Sequence, residues 1–239
     1  MTDKLYVLVD ADDRRFPTRK RNRGLDFRRA LATGETVTDR ISASTSIEAL
    51  TSSASPGSAS WPWRAYEIEG EGHIGAMTDR DTARVDSFVV TAELPRDALF
   101  GPNGADLLTF FEKLANAVDG ARDWEVTMQK WMREAPAYSS AEPDRGAPDS
   151  RYIDALVACD EALDEAMEKT PWRTSAALLA NSVSNQLTGT RSRLFKVASG
   201  GSEVARNLAV GIAMKDLIAP EDFTELLAPF AAAPYWPRS

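Results

Sequence analysis

The chain has 239 residues, 43% of them hydrophobic and 27% charged, and carries a formal net charge of −8. That length suits one large domain or two small ones, with enough apolar content to bury an ordinary core. Cys159 is the only cysteine and His73 the only histidine, which excludes an intramolecular disulfide and argues against zinc centres and Ser-His-Asp triads.

No apolar run approaches the ~18 residues of a membrane-spanning helix, so no membrane association is expected. The opening "MTDKLYVLVDADD" combines a short apolar stretch with acidic flanks, unlike a signal peptide. With the lone thiol it fits a reducing cytoplasm.

Taken in chain order, "KLYVLVD" (4–10) alternates like a strand, and Phe16 with Pro17 suggests a short second one. "DFRRALATG" reads as a short helix stopped by Gly34. Thr45 and Glu48 have the spacing of a capping box, which predicts a brief helix over Ile47–Leu50. A polar loop follows over 52–60. "WRAYEIEG" (63–70) and "SFVVTAELP" (87–95) alternate as strands, and Glu67 and Glu69 on alternate positions predict one wet face.

From Phe100 the period becomes helical: Leu107, Leu108, Phe111, Leu114 and Val118 mark one face, and Trp124, Met128, Trp131 and Met132 a second helix ended by Pro136. Beyond it, Ile153, Leu156, Val157, Leu163 and Met167 form the apolar stripe of another helix. Trp172, Ala176, Leu179, Val183 and Leu187 do the same up to Gly189, and Val204, Leu208 and Ile212 after "SGGS". Pro220 with Glu221 and Asp222 opens a last helix, its acids at the positive end of the dipole. The predicted class is α+β, a β-rich N-terminal half with short helices packed against an all-helical C-terminal half. Its divisions are a β-rich domain over 1–100, a helical hairpin over 101–136, an exposed connector over 137–151 and a helical bundle over 152–236.

The strongest asymmetry is electrostatic. Residues 14–29 hold Arg14, Arg15, Arg19, Lys20, Arg21, Arg23, Arg28 and Arg29 against one acid, Asp26. Eight cations and one acid give that window +7; the other 20 cations and 35 acids give the remainder −15. Clustered guanidinium groups suit phosphates and gain affinity by counterion release. Pairing with the chain's own acids is the competing reading. Phe16 and Phe27 are the only aromatic residues in the window.

The closing segment "AVGIAMKDLIAPEDFTELLAPF" (209–230) resembles the ending of uncharacterised proteins of actinobacteria and their phages. The matching positions are Asp216, Leu217, Ile218, Glu221, Phe223, Pro229 and Phe230, and "SIEALT" and "PWRAYEIEGEG" look like the front domain of the same group. The resemblance implies a phage or mobile-element origin and no particular chemistry. Read from the residues alone, Phe223, Leu226, Leu227 and Phe230 dock a capped terminal helix.

Other motifs are weaker. Asp10 and Asp12 at a strand end resemble the start of haloacid-dehalogenase-type phosphatases, but Arg14 stands where a threonine or valine is expected and no alternating βα chain follows. Ser44, Thr45 and Ser46, with Arg14 or Arg64 and Glu67 or Glu69, resemble the residue sets of NAD-using ADP-ribosyltransferases, with the glutamates inside a strand instead of a loop before one. His73 between glycines has the chemistry of a general base and the setting of an exposed loop residue. The "WPW" of 61–63 offers indoles either to a partner or to the core. The expectation is therefore a non-enzymatic, cytoplasmic, phage-derived accessory protein with no cofactor, catalytic or metal residue, binding a host protein or a nucleic-acid phosphate backbone through its eight cations. The competing classes are a nucleotide-using transferase and a structural virion component.

Overall fold

A computed structural model describes residues 5–10, 26–38, 47–50, 61–71, 82–85, 87–119, 150–189 and 200–231. The fold is α+β and divides into two units, Met1–Leu99 and Phe100–Ser239. The second strand expected at Phe16, the helix at Trp124–Met132 and residues 137–149 of the connector lie outside the described residues, and the connector's last two positions, 150 and 151, already belong to a helix that starts at Ser150. Among those described, no helix is long and apolar enough to cross a membrane.

Among the described residues, the first unit is an antiparallel sheet with one α-helix. Its elements are β1 (Leu5–Asp10), α1 (Phe27–Thr33), β2 (Val37–Thr38), β3 (Ile47–Leu50), β4 (Trp63–Glu71), β5 (Thr82–Val85) and β6 (Ser87–Leu94). The strand order is β2-β6-β4-β1-β3-β5. In a flat sheet β5 and β6 would stand four strand spacings, ~19 Å, apart. Only Asp86 separates them in sequence, so Val85 and Ser87 lie within ~7 Å of each other. The sheet must therefore curl until its far edge returns to β6.

Inside the curl, Leu5, Val7 and Val9 of β1 meet Tyr66 and Ile68 of β4, Val85 of β5, and Phe88 and Val90 of β6. Helix α1 closes this core with Phe27 and Ala30. The Phe27 ring stacks between Tyr66 (5.4 Å) and Phe88 (5.7 Å), and its burial stabilises by about 2–3 kcal/mol. Asp26 caps the helix by accepting from the Arg29 backbone N–H at 2.9 Å, and Gly34 ends it in the left-handed region. Between Glu67 and Ile68 the register with β6 steps from Ala92 to Val90, leaving Thr91 as the extra residue of a bulge. The Thr91 hydroxyl donates to the Glu67 carbonyl at 3.2 Å.

Two expectations change here. Residues Ile47–Leu50 form strand β3, not a helix, pairing with β5 and through Leu50 with Tyr6 of β1. Four residues make too short a helix to repay nucleation, whereas the open side of β1 offers them ladder hydrogen bonds. The wet face is also only partial. Glu69 is exposed and Glu67 half-buried, but Trp63, Ala65 and Leu8 on that face are buried.

The second unit begins in a 3-10 turn spanning Ala98–Asn103 and contains α2 (Gly104–Asp119), α3 (Ser150–Lys169), α4 (Pro171–Gly189), α5 (Gly200–Ala213) and α6 (Pro220–Ala231). Helix α5 is its axis, with Val204, Ala205, Leu208, Ala209, Ile212 and Ala213 all buried. Ala176, Ala177, Ala180 and Val183 of α4 pack beside it, small residues that let helix axes approach closely. Phe110 of α2 meets Phe230 of α6 edge to face at 5.7 Å. Leu226 and Phe230 are fully buried, as the periodicity predicts.

Helix α3 is turned relative to expectation. Tyr152, Ala155, Cys159 and Ala166 face inward, whereas Val157 and Met167 are 49% and 55% exposed. The small residues win the inner face because α3 lies against both α4 and α6, where bulkier side chains would hold the helices apart.

The curl brings Val85 of β5 against Gly70 of β4. A Cβ there would run into Cγ1 of Val85 and lie 3.3 Å from the Ser87 carbonyl oxygen. Gly70→Ala is expected to destabilise by about 1–3 kcal/mol, the usual range for overpacking. Urea unfolding measures this, and an unchanged midpoint would contradict the closure described.

Candidate functional site

Of the eight cations singled out in the sequence, Arg14, Arg15, Arg19, Lys20, Arg21 and Arg23 lie outside the described residues, as do Asp12, Ser44–Ser46 and His73. Arg28 and Arg29 stand on the exposed side of α1, opposite the buried Phe27 and Ala30. The Arg29 Nε lies 3.5 Å from Glu35 Oε1, a pair too open to solvent to neutralise much. Both cations occupy the first turn of their helix, where the dipole disfavours positive charge.

Strand β1 ends at Asp10, which pairs in register with Trp63 of β4, and the last residues of the basic segment, from Asp26 and the buried Phe27 onward, open helix α1. At the start of β4, Trp63 is 1% exposed and Trp61 meets it edge to face at 4.9 Å.

Arg64 is committed elsewhere. Its Nε donates to Glu93 Oε1 at 2.8 Å, a second guanidinium nitrogen reaches both carboxylate oxygens, and the guanidinium lies 5.7 Å from the centre of the Tyr66 ring. Strand alternation turns Glu67 and Glu69 to the opposite face, so β4 does not bring Arg64 and these glutamates into one cleft.

The most developed polar cluster belongs to the helical unit. Asp216, just past α5, accepts a forked pair from Arg173 of α4, one contact at 2.7 Å. It also accepts from Asn103 Nδ2 at 2.6 Å, and Asn103 Nδ2 also reaches the Ala213 carbonyl at 3.2 Å. Lys215 Nζ donates to Asp106 Oδ2 at 2.7 Å and lies 5.3 Å from the centre of the Phe223 ring. Arg173 stacks on Trp172, whose ring covers Gly101 so closely that a Cβ there would sit 2.5 Å away. Gly101 holds φ +74°, and Cβ-free backbone is needed on both counts.

One carboxylate thus joins the start of the unit, the start of α4 and the end of α5. The Arg173 guanidinium holds the Asp216 carboxyl below the usual range, against the opposing effect of partial burial and with further help from Asn103. An acid so engaged is a clasp between elements rather than a proton donor. The sequence reading singled out Asp216 but not its partners, which lie 43 and 113 residues away.

Cys159 is buried in α3, and burial, with Asp160 beside it, pushes the thiol up to about 12. At neutral pH it is not a nucleophile. Among the described residues no group of three or more His, Cys, Asp or Glu side chains could hold a metal ion.

No family model, curated protein or solved structure matches the chain.

The clasp has a pH signature. Because the folded-state pKa of Asp216 is depressed, its stabilisation is complete above the unfolded value near ~3.9 and is lost as pH falls through the folded value. Asp216→Asn is expected to lower stability at pH 7 by about 1–2 kcal/mol and to narrow its gap from wild type in acid. Melting curves at pH 7 and in acid test this; a constant gap would contradict it. For Cys159, iodoacetamide is expected to label the thiol only after denaturation, and rapid labelling of the native protein would be inconsistent with its burial.

Proposed function

We propose that the protein acts by binding, its arginine-rich segment at residues 14–29 engaging the phosphate backbone of a nucleic acid. The observation that carries this reading is the separation of charge, +7 in that segment against −15 in the remainder. An acidic body repels polyanion from the rest of the surface and confines association to the segment. The burial of Phe27 supports it, since it ties the last residues of the segment to the core while Arg28 and Arg29 beside it are exposed. The likeness of residues 209–230 to actinobacterial and phage proteins favours an accessory role of phage or prophage origin.

Replacing Arg19, Lys20, Arg21 and Arg23 with Gln is expected to abolish salt-sensitive binding to an oligonucleotide near physiological salt and leave the melting temperature unchanged. At lower salt, the slope of log affinity against log salt is expected to fall by up to about 3 units for a single strand. Wild-type protein that binds no polyanion even at low salt would overturn the proposal.

A further inference from the structure

We propose that the outward edge of α3 is a docking surface for a cationic amphipathic helix of a partner protein. Helix α3 carries two apolar stripes, and the fold of its unit uses one of them. Tyr152, Ala155, Cys159 and Ala166 are buried. The other stripe keeps Ile153, Leu156 and Leu163 half-buried and Val157 and Met167 exposed.

The spacing of this second stripe is that of a seam for another helix. Ile153, Asp160 and Met167 stand seven residues apart, and Leu156 and Leu163 fall between them, as the a and d positions of two heptads do. From Ile153 to Met167 the seam runs ~21 Å. Side chains at this spacing interdigitate with those of a facing helix.

Charge decides what kind of helix fits. Helix α3 holds six acids and two cations, and both cations are engaged: Arg151 lies 3.7 Å from Glu225 of α6, and Lys169 pairs with Glu165. Among the described residues no cation pairs with Asp154, Asp160, Glu161, Asp164 or Glu168. Asp154, Glu161 and Glu168, again seven apart, line the solvent flank of the stripe. Asp160 and Asp164, and Asp164 and Glu168, are like charges four residues apart that repel each other. Lysines or arginines along the flank of a docked helix relieve that repulsion while its apolar side covers the stripe. A cation facing Asp160 also sets the register, as a polar group within a seam does.

The same charges disfavour other occupants. A second copy laid parallel in register would set Asp160 against Asp160, and one laid antiparallel would set acidic flank against acidic flank. An anionic lipid surface would repel the stripe's acids.

The test uses the 239-residue chain and three labelled peptides of roughly eighteen residues, long enough for the seam. One has leucine at a and d and lysine elsewhere, one has glutamate in place of the lysine, and one scrambles the leucine–lysine sequence. By fluorescence anisotropy the first is expected to bind at least about tenfold more tightly than either other. Met167→Gln and Val157→Gln, both at exposed side chains, are each expected to weaken it about fivefold or more, as loss of an apolar interface anchor does. Asp160→Asn with Asp164→Asn is expected to weaken it and flatten its salt dependence. Glu112→Gln with Glu221→Gln removes as much charge from exposed positions of α2 and α6 and is expected to leave binding unchanged. Each variant is checked for an unchanged melting curve, and the comparison of peptides on the unaltered protein stands even if a substitution disturbs folding. Absence of binding, equal binding of the three peptides, no loss in Met167→Gln, or an equal loss in the Glu112 and Glu221 variant would each overturn the proposal. So would a dimer of the protein alone that Met167→Gln dissociates in sedimentation, because the occupant would then be a second copy.

Discussion

A single residue, Asp86, joins the strand that ends one side of the sheet to the strand near its other side, and the form of the first unit depends on that join. A flat sheet is impossible with so short a link, so the strands close around one apolar filling. Tyr66, Phe88 and the incoming Phe27 are its largest side chains, and Gly70 clears the space where Val85 comes against β4. The last members of the basic segment, Arg28 and Arg29, sit on a helix whose other side is core.

The second unit reaches order by a different route. Close approach of alanine-rich faces around α5 needs few large side chains, and aromatic contacts among Phe100, Phe110, Phe111 and Phe230 fill what remains. At one end the Asp216 clasp ties together elements far apart in sequence. Gly211 makes room for Leu226 where α5 meets α6, since a Cβ there would lie 2.6 Å from its Cδ1.

What was legible in the sequence is what is encoded locally. Asp26 and Gly34 mark the ends of α1 because capping and left-handed backbone are properties of single positions, and the alternation in β4 marks the strand because burial acts residue by residue. The α+β class follows from the change of period near Phe100. Partners are another matter. The spacing of Thr45 and Glu48 suits a helix cap, but the open edge of β1 decides the fate of residues 47–50. The stripe of Val157 and Met167 has helical spacing, yet spacing does not say which of two apolar stripes faces inward, and the smaller one does. The Arg64–Glu93 and Arg173–Asp216 pairs carry no local signature, because long-range ion pairs exist only once the chain has folded.

These two pairs also bear on function, since they show what an arginine satisfied by its own molecule looks like here: 11% exposed, forked onto a carboxylate and lying over an aromatic ring. The functional reading requires the arginines of residues 14–23 to be different. The direct measurement is the rate at which phenylglyoxal modifies each arginine of the free protein, mapped by mass spectrometry, with Arg64 and Arg173 as internal references. Fast modification of Arg14, Arg15, Arg19, Arg21 and Arg23, slowed by an added single strand, is the expected result. Rates as slow as those of Arg64 and Arg173 in the free protein would mean that the segment is already neutralised from within, and would contradict the reading at its base.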